Sequence, residues 1–415
     1  MTDTSMPDEQ AVTIVGSGVH GVHLAIRLLS DDVVSRDRLC LVDPSGLLAS
    51  FRRKSRACGM ASLRSPFVHQ LDADPFSLRD FAQKHGREDE LVASEDGADR
   101  PTTELFFDHA DRLCEQHGLE SLRVDAAVTG LSDHGAHVRV ETTAGSFSSA
   151  WCVLAVGYGG SYSMPAWADG LPSSAPVAHV WDGCFEPSAV GDSERLGIIG
   201  SGVTGVQLAA SLACPERDVV VFARSPFRTQ RREAGTDWMH FSDALEALHS
   251  YPPASRGRER VVADARYDGS VPPYAMARFR RAVDRGWITV EATEVVDATA
   301  AGGTVVVTCR DGRADWFDRL ICATGFGTPY EGTLLSRLRN ETSLATGYLG
   351  APALDDDSLR WRRADGTRSR VAVSGAAAQQ VLGPFARNIV GARQAGNILA
   401  DVIETEPAAP PTIRG

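Results

Sequence analysis

The chain has no C-x-x-C pair: its eight cysteines, Cys40, Cys58, Cys114, Cys152, Cys184, Cys214, Cys309 and Cys322, are scattered singly. The sequence therefore argues against a disulfide-exchange centre. No His/Cys grouping falls at zinc spacing, so no metal site is expected. A G-x-S-x-G nucleophile elbow is also absent. No apolar stretch approaches bilayer-spanning length, which argues against a membrane partner. Met1 to Gln10 is polar and acidic, unlike a signal peptide, and the unpaired cysteines suit a reducing, cytoplasmic location. Positive charge is in deficit, with 42 Lys+Arg against 54 Asp+Glu and a net charge of −12. A nucleic-acid partner, which needs a basic face, is disfavoured. Any polyanionic ligand must then sit on a local positive patch.

What is present is ordinary for a globular protein: 415 residues, 43% hydrophobic and 23% charged, enough for two or three domains with their own cores. Within that background one glycine pattern occurs twice. Gly16-Ser17-Gly18-Val19-His20-Gly21 follows the apolar run Val12 to Val15, and Gly200-Ser201-Gly202-Val203-Thr204-Gly205 follows Leu196 to Ile199. A lone G-x-G-x-x-G is weak evidence. Here each copy leaves a strand-like run and opens a helical one, which is the context that makes it a dinucleotide fingerprint. The first glycine permits the turn, the second the approach of a pyrophosphate, and the third close helix–strand packing.

The strand after each fingerprint predicts which nucleotide is held. Leu39 to Val42 ends in Asp43-Pro44. A carboxylate there accepts from an unmodified ribose and repels a 2′-phosphate, so FAD or NAD fits; a plain turn before Pro44 is the alternative. Val219 to Ala223 ends in Arg224-Ser225, with Arg228, Arg231 and Arg232 nearby. A guanidinium and a hydroxyl suit a 2′-phosphate, favouring NADPH; a solvated surface arginine is the alternative. Trp151 to Gly157 and Arg319 to Phe326 read as the return strands closing the two sites. Their small terminal residues Ala155, Gly157, Ala323, Thr324 and Gly325 leave room for a cofactor.

These elements, together with Leu63-Arg64-Ser65-Pro66-Phe67-Val68-His69-Gln70-Leu71-Asp72 and Ala323-Thr324-Gly325-Phe326, resemble the flavin-dependent monooxygenases with two dinucleotide-binding domains, in particular the lysine/ornithine N-hydroxylase group. The likeness runs from about residue 10 to 405. It implies an α/β fold of two Rossmann-like (glutathione-reductase-type) domains, the second inserted in the first. An FAD-binding domain would span 11–165 and 330–405, and an NADPH-binding domain 166–329, with disordered ends at 1–10 and 406–415. The segment after the second strand would run beside the isoalloxazine, which gives Arg64, His69 and Gln70 flavin contacts and makes His69 and Gln70 the catalytic candidates. Pro44 and Val128 are further implied FAD contacts. The family's usual lysine or glutamine followed by an acidic residue reads His69-Gln70 here, and only Ala178-His179-Val180-Trp181 is left of the monooxygenase signature between the fingerprints. The cofactor sites therefore transfer better than the substrate.

An insertion, 231–285, is rich in charge and aromatics and reads either as a wall of the substrate mouth or as a surface helical hairpin. Further on, Gly383-Pro384-Phe385 reads as the start of a helix, with Pro384 in its first turn and the N-terminus toward the flavin. Asp74-Pro75 is a second helix start, with Asp74 as cap. Asp72 is either a loop residue or a handle for a cationic substrate, and His20 and His23 read as packing residues on their helix. The implied activity is NADPH- and FAD-dependent oxygenation of a small nucleophile by a flavin C4a-hydroperoxide, above all N-hydroxylation of an amine or amino acid. The partners are a small-molecule substrate and dioxygen, with a homo-oligomer allowed. The alternatives are an NADPH-dependent flavin oxidoreductase or oxidase, and a redox-sensing flavoprotein.

Overall fold

The computed structural model describes residues 9–93, 99–183, 185–239 and 243–407. The loose ends expected at 1–10 and 406–415 lie outside these, except for Glu9, Gln10, Glu406 and Pro407, as does Cys184.

Two parallel sheets organise the chain. The first has the strand order Arg360–Arg362, Arg368–Val373, Gly145–Leu154, Glu9–Val15, Leu39–Val42 and Arg123–Val124. Its central strands are parallel, with Val15 opposite both Val42 and Leu154. Val12, Ile14, Leu41 and Val153 are fully buried between helices, as a parallel sheet covered on both faces requires. The alternating segment His137 to Glu141 forms the expected antiparallel excursion, with Val138–Thr142 between Val128–Asp133 and Gly145–Leu154. Helix Thr103–Gln116 packs nearby, its start capped by Thr102 Oγ1, which accepts from Leu105 N at 3.1 Å.

The second sheet runs Ile288–Glu291, Asp218–Phe222, Arg195–Ile199, Arg319–Cys322 and Val177–His179, all parallel. Every one of its strands lies in sequence between strands of the first sheet. The described residues within 231–285 include the helices Asp243–His249, Arg256–Ala265 and Pro273–Asp284. They are anchored to the last third of the chain by Arg258, 1% exposed, which donates to the Asp356 carboxylate at 2.8 Å and to Gln380 O at 3.0 Å.

Two helix starts differ from expectation. Asp74 Oδ1 accepts from Phe76 N at 2.9 Å, but the helix begins only at Ser77; the aspartate closes a turn ahead of it. Pro384 does not open the long final helix. Gly383, at φ 77°, breaks the chain after a short turn of helix, and the final helix runs Ile389–Thr405 with Asn388 as cap.

Candidate functional site

Both fingerprints adopt the same geometry. Gly16 and Gly200 have φ of 100° and 126°, and a Cβ on either would lie 2.6 Å from the carbonyl of Ala155 or Ala323. At Gly21 and Gly205 a Cβ would strike the carbonyl of Gly16 or Gly200 at 1.9 and 2.2 Å. Gly18 has nothing within 4 Å of an added Cβ, and Gly202 only Gly269, no nearer than 3.6 Å. Each loop is therefore closed on its own strand and open on the side where a pyrophosphate lies, at the N-terminus of the helix beginning at Val19 or Val203. The residues present fit two dinucleotides.

The two cradles open on one cleft of about 1780 Å³, large against the roughly 300–1,000 Å³ typical of a single small-ligand site. Gly18, Val19, His20, Ala155 and Gly157 line it from the first sheet; Gly200 to Thr204, Arg224, Ser225, Ala323, Thr324 and Gly325 line it from the second. No cysteine of the described residues lines it. Asp43 sits at the first cradle with its carboxylate accepting from Ser17 N at 2.8 Å and Ser45 N at 2.7 Å. Arg224 stands exposed at the end of the second cradle, with no carboxylate partner among the described residues. Of the other sequence-derived positions, Gly16, Ser17, Gly21, Asp43, Pro44, Val128, Gly205, Gly383 and Pro384 do not line the cleft, whereas Phe385 does, followed by Arg387 to Val390.

His69 and Gln70 part company. His69 lines the cleft, but the Gln70 side chain is fully buried in its own loop, donating to Asp74 O and accepting from Asp72 N at 2.5 Å. Gln70 thus shapes the 70–74 turn rather than facing a cofactor. Asp72 belongs to the same turn, whose carbonyls at Asp72 and Ala73 take the Arg393 guanidinium from the final helix. His23 is a packing residue: its Nδ1 donates to Leu71 O at 2.8 Å, and burial lowers its pKa to about 3. His20 differs, lining the cleft with Nδ1 2.8 Å from Ser374 Oγ and its pKa lowered to about 4 by burial, so it faces the cleft neutral.

Charges deeper in the cleft were not legible in the sequence. Arg64 donates to Arg231 O at 2.8 Å, Gln230 O at 2.7 Å and Ser270 Oγ at 3.2 Å, tying its own segment to the insertion. Glu233, from the insertion, accepts from Arg387 at 2.8 and 3.1 Å and from Asn388 at 3.4 Å, with Arg64 3.9 Å away. Burial opposes its ionisation, but Arg387 and Arg64 prevail and hold its pKa at about 2. Glu259 also lines the cleft, accepting from Tyr330 Oη, Gln379 Nε2 and Gln380 Nε2 at 2.9, 3.0 and 2.8 Å. With Met239, Arg266 and Tyr274 these residues make the insertion a wall of the cleft.

The two crossings between the sheets run side by side. Tyr158 stacks on Phe326 at 4.0 Å, and Ser163 N donates to Gly325 O at 3.0 Å. The remnant His179–Trp181 belongs to the same aromatic wall, with His179 stacked on Tyr162 at 4.8 Å and Trp181 on Phe326 at 4.5 Å. Lys54 lies 5.6, 5.9 and 5.2 Å from the rings of Tyr162, Trp181 and Phe326, and burial, then Arg53, lowers its pKa to about 8.

Residues 13–159 match the family model described as FAD-NAD(P)-binding. No curated protein matches the chain in sequence. Among solved structures, the chain is similar to ornithine N-hydroxylase from Kutzneria sp. 744, with a TM-score of 0.75, 17% identity, and 96% of this chain and 100% of that one covered. That structure is of the hydroxylase with reduced FAD, NADP+ and L-ornithine. Similar too are ornithine hydroxylase from Pseudomonas aeruginosa (TM-score 0.73, 17% identity, 95% and 99% covered) and L-lysine 6-monooxygenase from Pseudomonas syringae (0.72, 17%, 95% and 99%). The chain thus has the fold of these hydroxylases along nearly its whole length, with its first nucleotide unit matching the FAD-NAD(P)-binding family.

Proposed function

We propose that this protein is an NADPH- and FAD-dependent monooxygenase that hydroxylates the nitrogen of a small amine or amino acid. The observation that carries this reading is the pair of glycine cradles opening on one cleft, with Asp43 at the first and Arg224 at the second. Asp43 suits the unphosphorylated ribose of FAD, and the exposed guanidinium of Arg224 suits the 2′-phosphate of NADPH. The activation of dioxygen is supplied by FAD once NADPH has reduced it.

The chain's own residues bind, orient and keep water out. Helix N-termini at Val19 and Val203 would present backbone N–H groups to the two pyrophosphates. His69, on the segment that the resemblance sets beside the flavin, takes the place of the family's long polar side chain. His20, held neutral, can accept or donate a hydrogen bond there without adding charge. Tyr158, Trp181 and Phe326 line the side of the cleft where the two crossings meet, and this aromatic wall would help keep water from the reacting groups. A substrate amine must reach the site deprotonated, and His69, which lines the cleft, or a bound water would take up that proton. A thiol relay has no support, since no described cysteine borders the cleft.

The test is coupling. With a panel of small amines and amino acids, NADPH consumed should match hydroxylated product for the true substrate, with little peroxide released. Peroxide equal to NADPH for every compound would replace hydroxylation by an oxidase reading. Failure of NADPH to reduce the flavin would leave a sensing role.

A further inference from the structure

Lysine is almost absent from this chain. Of its 42 Lys+Arg residues only Lys54 and Lys84 are lysine, and arginine is the cation everywhere else. Lys84 is exposed at the end of the helix Ser77–Lys84. Lys54, on the helix Ala49–Ala57, instead lines the cleft. Its Nζ faces the rings of Tyr162, Trp181 and Phe326, whose centres lie 5.6, 5.9 and 5.2 Å away. Among the described residues no carboxylate pairs with it. The nearest charge has the same sign: Arg53 is fixed beside this wall, donating to Trp181 O at 2.6 Å and to Tyr162 Oη at 3.3 Å. His179, stacked on Tyr162, adds no charge, since burial lowers its pKa to about 4.

An amine set against apolar rings and next to a fixed cation is the arrangement that makes lysine a nucleophile. An arginine at position 54 would supply the same charge, but it stays protonated and cannot attack a carbonyl. We propose that Lys54 is an amine nucleophile through which the cleft takes a small aldehyde or ketone as an imine. This goes beyond the hydroxylation of an amine and does not depend on it. Nζ attacks the carbonyl carbon and forms the C–N bond. The carbonyl oxygen then leaves as water, carrying the two N–H protons, and no electron is transferred. The three rings favour the neutral amine before attack, and a proton taken from water afterwards gives an iminium whose charge faces the same rings.

The test uses the purified full-length protein with benzaldehyde as probe and cyanoborohydride to trap the imine by hydride addition. Peptide mass spectrometry then reads each lysine, with Lys84 as the internal reference. At pH 7.5 an amine whose pKa is lowered to about 8 has a neutral fraction on the order of a hundredfold above that of an ordinary lysine. Its weaker basicity returns part of that gain, as it does for thiols. Lys54 should therefore be benzylated about tenfold or more faster than Lys84. Its rate should level off above about pH 8, while that of Lys84 climbs to about pH 10.4. In urea the two lysines should react alike. Labelling of Lys54 no faster than that of Lys84 would overturn the proposal and leave Lys54 a packing cation. So would a preference that survives in urea, which would trace it to the neighbouring arginines in sequence rather than to the folded wall. The labelling needs neither NADPH nor dioxygen, so its outcome is separate from that of the coupling assay.

Discussion

Glu233→Gln removes one charge and almost no volume from the centre of the cleft. In the native protein the carboxylate holds Arg387 at 2.8 and 3.1 Å, Asn388 at 3.4 Å and Arg64 at 3.9 Å. A carboxyl whose pKa falls from 4.5 to about 2 on folding contributes roughly 3 kcal/mol at neutral pH. Breaking a buried ion pair by neutralising one partner costs about 3–5 kcal/mol. Both figures need lowering, since the Arg387 and Glu233 side chains are 27% and 23% exposed to the cleft. A loss of about 2–3 kcal/mol is therefore expected for Glu233→Gln at pH 7. The sign with pH follows from the depressed native pKa. The stabilisation is fully present above pH 4.5 and disappears as pH falls toward 2, so the gap between the two proteins should close over that window. Urea unfolding of both proteins, followed by tryptophan fluorescence at several pH values, measures it. A variant as stable as the wild type at pH 7, or a gap that does not narrow below about pH 4.5, would refute the reasoning.

Other positions give contrasting outcomes. Gly21→Ala places a Cβ 1.9 Å from Gly16 O, so it should fold poorly, whereas Gly18→Ala, with open space at its Cβ, should fold normally and bind FAD weakly; expression, melting temperature and flavin content separate the two. Arg224→Ala should weaken NADPH binding about tenfold and NADH binding little, as one exposed charge-assisted phosphate contact implies. Nucleotide titration that shows both weakened equally would contradict the 2′-phosphate assignment. Lys54→Met should stabilise the protein near neutral pH. The lysine pKa is lowered from 10.5 to about 8, so its charged form is penalised below that range, and the gain should fade in melts above pH 10.5.

The fold was largely legible because it rests on local patterns. Each fingerprint is a contiguous strand–turn–helix, and the return strands end in small residues whose purpose is visible in sequence. The site was legible only where it is made of such segments. Glu233 and Arg387 are 154 positions apart and His20 and Ser374 are 354 apart, and no periodicity links either pair. Gln70 misled because its polar side chain serves its own turn, a choice settled by the Asp72 amide and Asp74 carbonyl. Pro384 misled in another way: the rule for proline at a helix start competes with Gly383 at positive φ, and Asn388 then takes the cap.

The most direct measurement of the central claim is the absorption spectrum of the purified protein during anaerobic addition of NADPH, with NADH as control. The account predicts a yellow protein whose flavin band bleaches with NADPH, bleaches far more slowly with NADH, and returns on admission of air. A colourless protein that cannot be loaded with FAD, or a bound flavin that NADPH leaves oxidised, would contradict it.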